Sequence, residues 1–153
     1  MNQLGRLQLE ALKKFIKIRV NGNGHERLFR DITVVSGADG HCQCELQISE
    51  SMLNSQGFLH GGVTATLVDS VSTFALMTTG AGVPGVSLDL SVSYLKPIKL
   101  NDSIIIDAKT LSCGKSIAVA TVDITSKASG KLMAHGRHSK FVATTVVTGK
   151  SKI

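Results

Sequence analysis

Asn54-Ser55-Gln56-Gly57-Phe58-Leu59-His60-Gly61-Gly62-Val63-Thr64-Ala65-Thr66-Leu67-Val68-Asp69 sets an amide, an imidazole and a glycine pair directly before a helical run that carries one carboxylate. Glycines at a helix start let the backbone approach a ligand closely, and the first-turn N–H groups have no partner within the helix. Such a start is a place to hold a negatively charged oxygen. Asp69 follows Gly61 by eight residues, which at the helical rise separates them by ~12 Å along the axis. One copy of this helix therefore cannot bring both groups to one atom. If Gly61 and Asp69 serve one reaction, two chains must meet with their helices side by side.

Working outward, Gly62 to Thr78 is rich in Ala, Val, Leu, Phe and Met around its whole circumference, the pattern of a helix buried on most sides. After a loop over Gly80 to Gly85 the chain turns to strands. Val86, Leu88, Leu90 and Val92 alternate with Ser87, Asp89, Ser91 and Ser93, and apolar stretches follow at 104–106, 117–124 and 132–142. Cys113-Gly114-Lys115 and Ala128-Ser129-Gly130-Lys131 read as hairpin turns. Upstream, Cys42, Cys44, Leu46 and Ile48 alternate with His41, Gln43, Glu45 and Gln47, so both cysteines are expected in the core. Leu4, Leu7, Ala11, Leu12, Phe15, Ile16 and Ile18 recur at helical spacing, which predicts an N-terminal helix over about 4–19. Consecutive strands joined by short turns favour antiparallel pairing. The expected class is α+β, a curved antiparallel sheet wrapped around a central helix, in a single domain over 1–153 with a tail from about 144.

Of the 153 residues 42% are hydrophobic and 18% charged, which suits a globular chain with one core. No stretch approaches the ~18 apolar residues of a membrane span, so a soluble protein without a transmembrane segment is expected. Three cysteines in no zinc-like or C-x-x-C pattern argue against a secreted disulfide framework and for a reducing compartment. The basic amphipathic start also fits an organelle-targeting segment, though it carries no clear cleavage signal. The formal charge of +6 points to an anionic partner. With no Trp and one Tyr, stacking platforms for single-stranded nucleic acid are missing, so an anionic small molecule is favoured over nucleic acid.

Asn54, His60-Gly61-Gly62, Asp69, Ser87, Tyr94-Leu95-Lys96-Pro97 and Gly136-Arg137-His138, taken in order, resemble the hotdog-fold acyl-CoA thioesterases from about residue 10 to about residue 140. The resemblance implies a hotdog dimer, paired again into a homotetramer, that hydrolyses medium- to long-chain fatty acyl-CoA without metal or cofactor in the cytoplasm or mitochondrion. It implies Asp69 as general base or nucleophile and the Gly61 N–H as donor to the thioester oxygen, from opposite subunits. Asn54 and His60 then orient or polarise the thioester and water, and Ser87 helps the water. Coenzyme A contacts correspond to Tyr94, Leu95, Lys96, Pro97, Ile98 and Lys99, and to Ser112, Cys113, Gly114, Lys115, Ser116 and Ile117. Phe141 departs from the pattern, because the family places a histidine near the nucleotide there.

The chemistry agrees with these residue types. An ionised carboxylate accepts a proton from water at neutral pH, and a backbone N–H stabilises an oxyanion by roughly 3–4 kcal/mol with no side chain required. Alone, His60 is an ordinary helix cap and Asn54 an ordinary turn residue; their meaning comes from the set. His135 and His138 are three apart in a strand and are expected on opposite faces, which disfavours a metal site. Rival readings are a hotdog hydratase or dehydratase, which would work on the acyl carbons, and a non-catalytic acyl-CoA binding module.

Overall fold

The computed structural model describes residues 3–80 and 82–143, with side chains from Gln8 onward. The expected tail from about 144, and the side chains of Leu4, Arg6 and Leu7, lie outside the described residues. The chain runs α1 (Gln3–Asn21), β1 (Thr33–Ala38), β2 (His41–Gln47), α2 (Gly61–Met77), β3 (Val86–Tyr94), β4 (Ser103–Cys113), β5 (Ile117–Ser126) and β6 (Leu132–Phe141), with short 3-10 turns at His25–Phe29 and Glu50–Met52. The six strands form one antiparallel sheet in the order β1-β2-β4-β5-β6-β3. Helix α2 packs against all of them, which is the hotdog arrangement.

Helix α2 owes its stability to burial more than to propensity. Val63, Val68 and Val71 are poor helix formers, because β-branching costs χ1 freedom. Yet Leu67, Val68, Val71 and Ala75 are fully buried, and each buried Val or Leu side chain contributes about 1.5–3 kcal/mol relative to exposure. The helix begins where His60, in extended conformation, accepts the Gly62 N–H on Nδ1 at 2.9 Å. It ends where the Thr78 N–H turns back to the Ala75 carbonyl.

The strands alternate as their sequences require. Cys42, Cys44 and Leu46 of β2 face the core, and on β4 Ile104, Ile106 and Ala108 do the same. Along β6 the inward set is Ala134, Gly136, His138 and Lys140, so the core face of this strand becomes polar toward its end. At Gly136 strand and helix approach closely: a Cβ there would lie 2.4 Å from Val68 Cγ1. Only glycine lets β6 and α2 meet at this depth. A bulge between Ser87 and Asp89 bends β3 beside this same region.

Helix α1 runs two residues beyond the expected end, to Asn21, and seals one side of the core with Leu9, Leu12, Ile16 and Val20. No described helix is long and apolar enough to cross a membrane. Strand β3 closes nothing. It is an edge strand exposed along nearly its whole length, with Val86 68% and Leu88 57% exposed.

Candidate active site

At the start of α2, His60 is the helix cap. Because Nδ1 accepts from the Gly62 N–H, the ring is the Nε2–H tautomer, and that second N–H is left to point outward. A Cβ at position 62 would lie 3.1 Å from His60 Nδ1, so a side chain there would push the capping ring aside by a few tenths of an ångström. The Gly61 N–H has no intrahelical acceptor and takes none from another residue among those described. Tyr94 from the end of β3 donates its hydroxyl to the Gly61 carbonyl at 3.0 Å, fixing the first turn. Around Gly61 lies a cavity of about 290 Å³ lined also by Leu59, Thr64, Tyr94, Leu95, Lys96, Pro97, Ile98, Met133 and Ala134. Five of the six residues expected to touch coenzyme A at 94–99 thus gather at the glycine. Lys99 does not line the cavity; its N–H is bound to Asp102 Oδ2 at 2.8 Å.

Asn54 sits half-buried in the loop before the helix. Its Oδ1 accepts from the N–H groups of Gln56 and Phe58, at 2.9 and 3.1 Å, and so is committed to holding the 54–58 turn. The amide NH₂ keeps its two donors without a partner among the described residues, although Asn54 lines neither of the cavities described here.

Asp69 lies two turns further along, in a second cavity of about 420 Å³ that shares no residue with the first. Its walls come from α2 (Asp69, Ser70, Thr73, Phe74), the loop and start of β3 (Pro84, Gly85, Ser87), Lys140 of β6, Phe15 and Arg19 of α1, and Glu26. The Asp69 side chain is 47% exposed, because it lies on the one side of α2 that the sheet leaves open.

Behind Asp69 lies a buried polar network. Ser72 donates its hydroxyl to the Asp69 carbonyl at 3.0 Å and contacts His138 Nδ1 at 2.7 Å. A hydroxyl has one hydrogen, so with that hydrogen on the carbonyl, Ser72 Oγ accepts from His138 Nδ1–H. His138 Nε2 is then an acceptor for the Ser87 hydroxyl at 2.9 Å, and Ser87, its lone pairs free to accept, lines the cavity. Burial, reinforced by the Lys140 ammonium, lowers the pKa of His138, against the weaker upward pull of Asp69 and Asp89. The ring is therefore held neutral at neutral pH, as this chain of bonds requires. Lys140, itself buried, donates to Thr73 Oγ1 at 2.6 Å and stands 3.9 Å from Asp69 Oδ1, while His138 Nε2 stands 3.7 Å from the same oxygen. Burial lowers the Lys140 pKa and Asp69 opposes the shift.

Sequence reasoning named Asp69 and Ser87, and the structure brings them into one cavity. It did not include His138, Lys140 or the α1 wall in the site. The signal was present: residues 134, 136, 138 and 140 alternate, and a histidine and a lysine on the inward face of a core strand need polar partners. His135, on the outer face, pairs with Asp123 at 2.7 Å, so the two histidines do diverge as expected. The segment Ser112 to Ile117 is the β4–β5 hairpin. It sits at the opposite end of α2 from Tyr94, with Thr79 Oγ1 4.0 Å from Cys113 Sγ. Phe141 pairs with Val86 on one side and Ile117 on the other, so these three form a row across β3, β6 and β5.

Residues 56–133 match the family model described as Thioesterase superfamily. Human acyl-coenzyme A thioesterase 13 is 47% identical over 131 residues, covering 86% of this chain and 94% of its own. The crystal structure of zebrafish thioesterase superfamily member 2 superposes with a TM-score of 0.86 at 41% identity, over 88% of this chain and 98% of that one. A hypothetical thioesterase protein from Streptococcus pneumoniae, crystallised with coenzyme A, gives a TM-score of 0.70 at 32% identity, covering 74% and 90% of the two chains. With its helix, sheet order and matching length, the chain belongs to the thioesterase superfamily, the enzymes that hydrolyse thioesters.

Proposed function

We propose that this enzyme hydrolyses fatty acyl-CoA of medium to long chain length to a free fatty acid and coenzyme A, in a site completed by two subunits. The observation that carries this reading is the separation of Gly61 and Asp69 on one continuous helix, in two cavities with no residue in common. Edge strand β3 supplies the means of joining them. It offers a nine-residue edge, unpaired on the side away from β6, with exposed Val86, Leu88, Leu90 and Tyr94. An exposed apolar edge of this length is an aggregation hazard unless a partner covers it. Antiparallel pairing of two β3 strands about Leu90 sets Tyr94 of one chain beside Val86 of the other. Gly61, bonded to Tyr94, is thereby carried toward Asp69 and Ser87 of the partner subunit. The same pairing brings the Tyr94–Lys99 loop toward the partner's row of Val86, Phe141 and Ile117, so both coenzyme A segments reach one ligand. A second pairing of such dimers into a tetramer extends this reading.

In this arrangement the thioester carbonyl oxygen accepts the Gly61 N–H, at a helix N-terminus whose dipole favours negative charge. His60 and Asn54, whose side chains line neither cavity, keep an Nε2–H and an NH₂ as further donors on the segment that leads into α2. A water between Asp69 and Ser87 donates to the carboxylate and to the Ser87 lone pairs, and Asp69 takes its proton as the water attacks. Collapse of the oxyanion breaks the C–S bond and expels coenzyme A as its thiolate, which takes up the proton from Asp69. The carboxylate is equally able to attack directly, expelling the same thiolate and leaving an acyl anhydride on Asp69 that water then hydrolyses. Lys96 meets coenzyme A phosphates as a point charge, with Lys99 and Lys115. The relatives named acyl-coenzyme A thioesterase 13 and the coenzyme A-bound structure support this choice of substrate. Thiol release from acyl-CoA tests the reading: Asp69→Asn keeps the shape, removes the base, and is expected to lower kcat by roughly 10²–10⁴. Near-normal kcat in the folded variant overturns the role of Asp69. Hydration of enoyl-CoA without thiol release overturns the reaction.

A further inference from the structure

The Asp69 cavity does not end at the carboxylate. Toward α1 it reaches Phe15, and beyond Phe15 lies a further, smaller cavity of about 180 Å³ between α1 and the end of α2, walled by Ala11, Leu12 and Met77 with Gln8 and Thr78 at its polar margin. Phe15 lines both spaces, and its half-buried ring meets Phe74 edge-on with centroids 6.3 Å apart. The two cavities follow one seam, along which Asp69, Thr73 and Met77 succeed one another at four-residue spacing on α2. They differ in character: Asp69, Lys140, Arg19 and Glu26 stand at the first, and carbon dominates the second.

We infer that the α1–α2 seam receives the acyl chain and that Phe15 is the residue that decides how far the chain enters. The inference rests on the proposed placing of the thioester at Asp69. Asp69 and Met77 are eight residues apart, ~12 Å of helix. An extended alkyl chain advances about 1.25 Å per methylene, the projection of a ~1.5 Å bond at a ~111° angle, so the seam matches roughly ten methylenes. Short chains stay on the Asp69 side of Phe15. Longer ones need its ring to turn aside, and their distal methylenes then leave water for the pocket of Ala11, Leu12 and Met77. Each methylene so buried is worth about a fourfold gain in affinity. Helix α1 is thus a specificity element, and the sequence signal is an aromatic on its inner face one turn beyond Ala11.

The test is the preference for long over short chains, read in two ways. One is the ratio of kcat/KM for tetradecanoyl-CoA over octanoyl-CoA. The other is the ratio of affinities for the non-cleavable thioethers tetradecyl-CoA and octyl-CoA, by calorimetry, which does not depend on the chemistry at Asp69. Phe15→Ala opens the gate and is expected to raise both ratios. Phe15→Trp and Ala11→Phe, the second at an exposed position that leaves the core intact, are expected to lower both by roughly tenfold or more, the loss of about two buried methylenes. Ratios unmoved by all three variants, or moved in the same direction by Phe15→Ala and Phe15→Trp, overturn the inference even if the enzyme releases thiol. Thioether ratios that respond while no acyl-CoA is hydrolysed leave the seam as the alkyl site and overturn the reaction assigned to Asp69.

Discussion

The donor assigned to the oxyanion is a backbone N–H, which side-chain truncation leaves in place, but its position allows it to be deleted alone. Gly61 is the first residue of α2, where the N–H has no intrahelical acceptor and where proline is well tolerated. The residue before a proline must be extended, and His60 already is, at φ −63 and ψ 135. A Cβ at 61 meets only the Tyr94 ring, at 3.5 Å, ordinary van der Waals contact. Gly61→Pro therefore removes one hydrogen-bond donor, keeps the His60 cap on Gly62, and is expected to leave the fold standing. Loss of an oxyanion donor costs about 2.7–4 kcal/mol of transition-state stabilisation, so kcat for thiol release from acyl-CoA is expected to fall by roughly 10²–10³. Gly61→Ala, which keeps the N–H and adds the same Cβ, is expected to stay within severalfold of the unmodified enzyme. Melting temperatures of both variants separate chemistry from folding. A folded Gly61→Pro enzyme with near-normal kcat, or equal losses in the proline and alanine variants, refutes the assignment of the N–H.

Two further outcomes follow from the packing behind the site. Gly136→Ala places a methyl 2.4 Å from Val68 Cγ1 and is expected to destabilise by about 1–3 kcal/mol, visible as a lower melting temperature; Val68→Ala on the same chain should recover part of the loss, and purely additive effects contradict the contact. His138 has a folded pKa below its unfolded value, so the unfolded chain binds more protons as pH falls through ~6.5 toward the folded value. The stability this ring contributes is complete above ~6.5 and is lost below it, and denaturation midpoints measured across that window should fall with pH less steeply in His138→Gln.

The legible part of the molecule was that in which a local pattern has one physical reading. Cys42, Cys44 and Leu46 alternate because β2 has one buried face, and Leu67, Val68 and Val71 crowd α2 because the sheet wraps it. The helix rise alone separates Gly61 from Asp69, since that distance depends only on the helix being unbroken. What stayed hidden depends on contacts remote in sequence. That Lys140 reaches Thr73, that His138 links Ser72 to Ser87, and that Phe15 walls the Asp69 cavity follow from the docking of β6 and α1 on α2. Asn54 and His60 illustrate the opposite lesson. Their bland readings, turn and cap, are what the structure has, and each keeps donors outside that duty.

The central claim is that neither chain holds a complete site. Mixing chains tests it directly: an enzyme carrying Gly61→Pro is allowed to exchange subunits with one carrying Asp69→Asn, and thiol release is measured before and after. In a heterodimer one composite site inherits both lesions and the other inherits none. Random exchange makes half of the dimers mixed, so activity is expected to rise from near zero to about a quarter of the unmodified enzyme's. Verified exchange with no gain in activity contradicts the account and returns Gly61 and Asp69 to separate duties within a single chain.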